Sequence, residues 1–219
     1  MITNRTSLQN QKSAIEKMKQ RTKPVKSLLG GNEIIALPNV YAGGLDSELM
    51  CEVIRIPKGA EVLDLCTGTG AIAMKAAQLG ASRVVAIDLN PEAVKNALLN
   101  AKKLRLTQVE VLKGSLFEPV KDSTFDVIII NPPYINHIAN DKTEICFWDE
   151  DNSVTRQFFS EYKTYLRPNG KVYLAWGDFA DVGMLQNLAS EHNVQLKLLG
   201  SKTTPDGQEK FLAYELQEK

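Results

Sequence analysis

The 219-residue sequence is poor in several features that mark whole classes of protein. Its three cysteines, Cys51, Cys66 and Cys146, form no CxxC pair, so neither a disulfide framework nor a zinc site is indicated. Basic and acidic residues number 26 each, so the net charge gives no argument for nucleic acid, although a neutral total can hide a local basic patch. No apolar run is long enough to span a bilayer, and the first residues lack the apolar region of a signal peptide. These absences predict a cytoplasmic protein without a membrane segment.

The first 29 residues form the one strongly basic stretch. This stretch has one acid, Glu16, and seven basic residues, namely Arg5, Lys12, Lys17, Lys19, Arg21, Lys23 and Lys26. We expect a mobile arm or a solvated surface helix continuing through Ile15 and Met18, with an electrostatic contact to RNA or an acidic partner as the alternative. The chain is therefore divided into a basic N-terminal arm or helix, 1–29, and one domain, 30–219.

From residue 61 onward, short apolar runs alternate with helical stretches. Strand-like runs occur at 61–65, 83–89, 108–113 and 125–131, and the stretches between them have helical patterns. This alternation predicts a doubly wound α/β fold with a mostly parallel seven-stranded sheet and helices on both faces. The last two strands have no helix between them, so they are expected to pair antiparallel.

A glycine-rich loop, Asp64 to Gly70 (DLCTGTG), follows the first strand of this pattern and opens a helix. Doubly wound sheets bind nucleotides at this position, and the letters GTGAIA also fit the dinucleotide pattern GxGxxA. NAD is therefore an alternative ligand. The Asp64 carboxylate argues against it, because it would repel a pyrophosphate and attract the ammonium and sulfonium groups of S-adenosyl-L-methionine.

The loop and the acidic end of the next strand resemble the first motifs of the class I methyltransferases. The resemblance implies that Asp64 and the loop hold the methionine end of S-adenosyl-L-methionine, and that Asp88 binds the ribose. A third contact is expected at Ser115. Many relatives have an acid at this position that accepts a hydrogen bond from the adenine amine, and apolar residues beside it flank the adenine ring. The predicted cofactor-binding residues are Asp64, Cys66, Thr67, Gly68, Gly70, Asp88, Leu89, Ser115, Leu116 and Asn131, and no metal ligand is predicted.

The tetrad Asn131-Pro132-Pro133-Tyr134 ends the very apolar strand FDVIII, beside the expected cofactor. An amide or nucleobase amine has a delocalised lone pair, and methyl transfer to it requires that this lone pair be recovered. The Asn131 carboxamide oxygen and the backbone carbonyl of Pro132 can accept both N–H groups and favour a pyramidal nitrogen. Tyr134 offers a flat face for stacking. Asn131, Pro132 and Tyr134 are therefore the predicted catalytic residues.

This tetrad resembles that of the amino-methyltransferases acting on adenine, cytosine, guanine or the glutamine amide. Val40-Tyr41 and Asp46-Ser47-Glu48-Leu49 look like the segment that precedes the glycine loop in the HemK-like protein-glutamine methyltransferases. By that resemblance the substrate is a glutamine side-chain amide of a protein, for example a translation factor. Asp46 or Ser47 is expected to cap a helix from Ser47 to Ile54.

Two other functions are compatible with the same motifs. One is an RNA or DNA base amino-methyltransferase, acting on the exocyclic amine of adenine or guanine with the basic N-terminal segment on phosphates. The other is a non-catalytic module that binds S-adenosyl-L-methionine. The segment 136–151, which contains His137, Phe147 and Trp148, is the expected substrate-facing loop. A partner subunit is left open.

Overall fold

The structure is a computed structural model that describes the backbone of residues 5–219; the first four residues of the basic N-terminal segment lie outside the described range. Within that range the α-helices are α1 (Arg5–Lys19), α2 (Leu45–Val53), α3 (Ala71–Gln78), α4 (Pro91–Lys103), α5 (Ser153–Tyr165) and α6 (Val182–Glu191). The strands are β1 (Val25–Leu29), β2 (Asn32–Ala36), β3 (Glu61–Leu65), β4 (Arg83–Asp88), β5 (Val109–Lys113), β6 (Phe125–Ile130), β7 (Leu166–Gly177), β8 (Val194–Thr203) and β9 (Lys210–Glu218).

Seven strands form one sheet in the order β5-β4-β3-β6-β7-β9-β8. The pairs among β5, β4, β3, β6 and β7 are parallel, whereas β9 runs antiparallel to both of its neighbours. The prediction of a doubly wound, mostly parallel seven-stranded sheet with an antiparallel C-terminal strand is confirmed. Because chain order reverses between β4-β3 and β6, the carboxyl ends of β3 and β6 flank the crevice where such sheets bind ligands.

Successive residues of the central strands supply two apolar cores, one on each face of the sheet. Val62 and Val127 belong to the core that also contains residues of α1, α2 and α3. Leu63 and Ile128, one position further along the same strands, belong to the core formed with α5 and α6. Strands buried on both faces are continuous apolar runs, which explains why β3 and β6 show no polar alternation.

The residues Asn90-Pro91-Glu92 are typical of a helix start, and α4 begins there: the Asn90 side chain accepts a hydrogen bond from the Glu92 amide at 3.0 Å, and Pro91 is the first helical residue. The prediction for α2 is wrong in its start and its cap. This helix begins at Leu45 after Gly44, without a side-chain cap. Asp46 and Ser47 are buried inside the first turn instead. There Asp46 accepts hydrogen bonds from the side chains of other segments.

The N-terminal segment contains a packed helix. Ile15 and Met18 of α1 are each only 4% exposed and belong to the core beneath α2 and α3. The Lys19 ammonium lies 2.6 Å from carboxylate oxygens of both Asp141 and Glu144. Residues 5–19 therefore form the helix that was one of the two expectations, but the side of it that carries Ile15 and Met18 is buried and not solvated.

The predicted division between 1–29 and 30–219 falls in the turn of the antiparallel β1-β2 hairpin. As a domain boundary it stays a prediction. No helix within residues 5–219 is both long and apolar enough to cross a membrane.

Candidate active site

A cavity of about 300 Å³ opens at the carboxyl ends of β3, β4 and β6. Its wall includes most of the residues predicted from the sequence, namely Cys66, Thr67, Gly68, Asp88, Leu89, Ser115, Leu116, Asn131, Pro132 and Tyr134. Asp64, in β3, and Gly70, at the start of α3, are not among the residues that line the cavity. The tertiary structure therefore brings the glycine loop, the acidic end of β4, the loop after β5 and the NPPY tetrad to one place.

The glycine loop is held by the acid that ends β4. The Asp88 carboxylate accepts hydrogen bonds from the backbone amides of Gly68 and Asn90, both at 2.8 Å. Gly70 has a φ of 81°, and a Cβ added there would lie 3.0 Å from the Cβ of Ala97 in α4. Glycine is required at this position by the backbone conformation and by the close approach of α3 to α4.

Asp64, at the end of β3, is a buried carboxylate with incomplete hydrogen bonding. Its Oδ2 accepts a hydrogen bond from the Thr67 hydroxyl at 2.5 Å, and the residue is 1% exposed. Its Oδ1 has no hydrogen bond of normal geometry among the described residues. Burial raises the pKa of Asp64 to about 7, against the lowering effects of Thr67 and the Ala73 backbone. A buried carboxylate oxygen of this kind is stabilised by a cation, and this fits the positively charged methionine end of S-adenosyl-L-methionine.

Asn131 lines the same cavity and has a buried acceptor without a partner among the described residues. Its Nδ2 donates to Asp46 Oδ2 at 2.9 Å and lies 3.4 Å from the Ser47 hydroxyl. Its Oδ1 is buried and has no hydrogen-bond partner among the described residues. Leaving such an acceptor unsatisfied costs about 1–3 kcal/mol, so the site is arranged for a ligand that donates an N–H or O–H group.

Tyr134 is supported from behind by aromatic residues. Its ring centroid lies 5.6 Å from that of Trp176 and 5.8 Å from that of Phe179. Burial raises the pKa of the Tyr134 hydroxyl well above its ordinary value, so the group stays protonated. The catalytic roles of Asn131, Pro132 and Tyr134 stay predictions, and the structure places all three on the cavity wall.

The predicted substrate-facing loop lines the same cavity through residues 145–150. Within and beside this loop, His137 stacks on Trp148 with ring centroids 4.9 Å apart, and Ile135 forms a β-bridge with Trp148. Asp149 then caps α5 by accepting from the backbone amides of Val154 and Thr155 at 2.8 and 3.1 Å.

Sequence reasoning missed the contributions of Gln11, Tyr41 and Asp46 to the cavity wall. Tyr41 and Asp46 stood in the segment that resembled HemK-like proteins, but Asp46 was interpreted as a helix cap. An acid followed by an apolar helix gives the same pattern whether its carboxylate caps that helix or binds a distant side chain. No motif marks Gln11, which reaches the site because α1 packs on the core.

This fold, with its cofactor-type glycine loop and NPPY tetrad, defines a class I methyltransferase, the class that uses S-adenosyl-L-methionine. The chain belongs to the methyltransferase small domain family, whose family model matches residues 31–195. The resemblance seen in the sequence is confirmed by this match and by the relatives.

A release factor glutamine methyltransferase from Shewanella oneidensis is 33% identical over 178 residues, which cover 73% of this chain and 62% of the relative. One of the same name from Vibrio cholerae is 41% identical over 123 residues, covering 51% of this chain and 43% of the relative. The chain thus spans less than two thirds of the length of either relative.

Solved structures share the fold at lower identity. A 16S rRNA N2 methyltransferase from T. thermophilus, in complex with AdoMet and guanosine, superposes with a TM-score of 0.66 at 22% identity, covering 88% of this chain and 50% of that one. A methyltransferase from Pyrococcus furiosus gives a TM-score of 0.62 at 19% identity and covers 98% of this chain and all of that one.

Proposed function

We propose that this protein methylates the side-chain amide nitrogen of a glutamine in a protein substrate. The observation that carries the proposal is the buried, unpartnered Oδ1 of Asn131 on the cavity wall. A primary amide has two N–H groups, and both need acceptors when the amide enters a buried site. Asn131 Oδ1 supplies one acceptor, and the Pro132 carbonyl is proposed as the second.

Some residues around the cavity are proposed to bind the cofactor, and others to orient the target nitrogen. S-adenosyl-L-methionine, when bound, supplies an electrophilic methyl group on a positively charged sulfur. We propose that Asp64 stabilises that positive charge and that Asp88 binds the ribose hydroxyls. Ser115 and Leu116 are proposed to contact the adenine. Asn131 and Pro132 hold the target nitrogen and favour its pyramidal geometry. The nitrogen becomes strongly acidic once it has gained the methyl group and releases its extra proton to water, so no strong base is required.

The proposed substrate class rests on the names of the relatives. Two relatives are named release factor glutamine methyltransferase, and we propose a translation release factor as the substrate. The single acceptor Asn131 Oδ1 suits an amide as well as a base amine. What favours the amide is therefore the similarity in sequence, which is higher for the glutamine methyltransferases than for the rRNA methyltransferase. We assign this activity to the domain formed by residues 30–219. Gln11 of α1 also lines the cavity.

Incubation with methyl-labelled S-adenosyl-L-methionine tests this proposal. A purified release factor and total RNA serve as separate acceptors, and peptide mass spectrometry locates the label. We expect one methyl group on a glutamine of the release factor, and no label when the protein carries Asn131→Ala. Label in RNA with an unmodified release factor would overturn the proposal in favour of base methylation. Tight cofactor binding without transfer to either fraction would favour a non-catalytic module.

A further inference from the structure

Asp46 is a buried carboxylate that lies next to the proposed catalytic amide. It is 4% exposed and accepts hydrogen bonds from Asn131 Nδ2 at 2.9 Å and from the Tyr41 hydroxyl at 3.2 Å. Among the described residues, no lysine or arginine forms an ion pair with it. A buried acid without a cation is unfavourable for folding, so its presence beside Asn131 calls for a role in the site.

The acid determines which way the Asn131 side chain faces. A carboxamide has a donor end and an acceptor end of nearly the same shape, and a neutral partner such as Ser47 can bind either end. The oxygens of a carboxylate accept hydrogen bonds, so Asp46 faces Nδ2 and would repel Oδ1. We propose that Asp46 is a positioning residue that holds Asn131 with Oδ1 toward the substrate and strengthens that oxygen as an acceptor.

A second hydrogen bond holds the carboxylate itself. Burial, followed by the nearby Asp46 charge, raises the pKa of Tyr41 well above its ordinary value, so its hydroxyl remains a donor. The Tyr41 ring also makes an edge contact with Phe147 of the substrate-facing loop, with ring centroids 5.3 Å apart. Gly44 lies so close that an added Cβ would collide with the Tyr41 hydroxyl and come within 3.2 Å of Asp46 Oδ1. The chain Tyr41–Asp46–Asn131 therefore links the loop to the acceptor through preorganised contacts.

This inference rests on the proposed function, and three variants test it. Asp46→Ala removes the acceptor, whereas Asp46→Asn keeps the shape but allows Asn131 to bind in either orientation. Glu52→Ala is the matched control, since Glu52 is an exposed acid of the same helix that pairs with Lys202 on the surface. We expect kcat for glutamine methylation to fall by about 10- to 100-fold in Asp46→Ala and by a smaller factor in Asp46→Asn. Cofactor affinity should stay within about twofold, and Glu52→Ala should match the wild type.

A double-mutant cycle separates positioning from a structural effect. If Asp46 acts through Asn131, then adding Asp46→Asn to Asn131→Ala should cause almost no further loss of kcat. Fully additive losses would overturn the inference. If Asp46→Ala does not fold, Asp46→Asn decides, and an unchanged kcat in that variant overturns the inference as well.

A substrate-free measurement keeps this inference distinct from the proposed function. The two Nδ2 protons of Asn131 can be followed by NMR, with Asn131→Ala giving the assignment. We expect faster solvent exchange of these protons in Asp46→Ala than in the wild type, and no change in Glu52→Ala. Unchanged exchange would contradict the positioning role. An altered exchange in a protein whose wild type methylates no glutamine would instead contradict only the proposed function.

Discussion

At the scale of single residues, the chemistry depends most on Asn131. Its Oδ1 is one of two proposed acceptors for the target nitrogen, and removal of one preorganised partner lowers turnover by about 10²- to 10³-fold in comparable sites. We expect this loss of kcat in Asn131→Ala, with the affinity for S-adenosyl-L-methionine retained. Calorimetry for the cofactor and steady-state kinetics for transfer check both parts. If the variant is folded by circular dichroism and still transfers the methyl group at the wild-type rate, the NPPY tetrad is only a turn and has no catalytic role.

The raised pKa of Asp64 predicts that cofactor binding depends on pH. Its pKa of about 7 in the folded protein means that the carboxyl becomes protonated as the pH falls below neutrality. A positively charged ligand prefers the ionised form, so the proton must leave on binding. The affinity for S-adenosyl-L-methionine should therefore weaken as the pH falls below about 7, by up to about tenfold for each pH unit.

Calorimetric titrations over a series of pH values measure this effect. The control is Asp64→Asn, which removes the titrating group but keeps its size. This variant should bind more weakly at pH 8 and lose most of the pH dependence below neutrality. If wild type and variant show the same pH profile, the titrating group is not Asp64.

At the scale of elements, the packing of α3 against α4 depends on Gly70. Its φ of 81° is a left-handed conformation, and an added Cβ would lie 3.0 Å from both Ala97 Cβ and Met74 Cε. Gly59 is a matched control, because its φ is 82° and an added Cβ would meet no atom within 4 Å. We expect Gly59→Ala to lower the free energy of unfolding by about 1–2 kcal/mol through strain alone. Gly70→Ala should cost about 1–3 kcal/mol more because the contact is overpacked.

Urea denaturation of the two alanine variants measures this difference. Equal losses of stability at the two glycines would show that α3 and α4 can separate without cost. The cofactor affinity of Gly70→Ala should fall as well, since the glycine loop and the start of α3 must shift together.

At the scale of the whole molecule, α1 is part of the core. Ile15→Ala is expected to lower the free energy of unfolding by about 2–5 kcal/mol, since the side chain is 4% exposed between α1 and the sheet. Glu16→Ala, an exposed neighbour on the same helix, should change it by less than about 0.5 kcal/mol. Chemical denaturation compares the two. Equal stabilities would mean that α1 detaches readily from the domain.

Local patterns in the sequence determined much of the fold. Alternating apolar runs and helical stretches predicted the parallel sheet, because a strand buried on both faces and a helix crossing above it each have their own periodicity. The Asn90-Pro91 start of α4 and the glycine loop were also visible, since capping and left-handed turns depend on neighbouring residues. The set of residues around the cavity was largely predictable because the carboxyl ends of adjacent parallel strands converge.

Tertiary structure alone decided the roles of Asp46 and α1. Asp46 contacts Asn131 across 85 positions of sequence, and nothing local distinguishes a carboxylate that caps its own helix from one that binds a distant amide. Helix α1 has a polar and basic composition, so its pattern indicated a solvated segment, yet Ile15 and Met18 are buried. Burial of two side chains depends on whether a complementary apolar surface lies opposite them. That surface forms only when α2 and α3 fold onto the sheet.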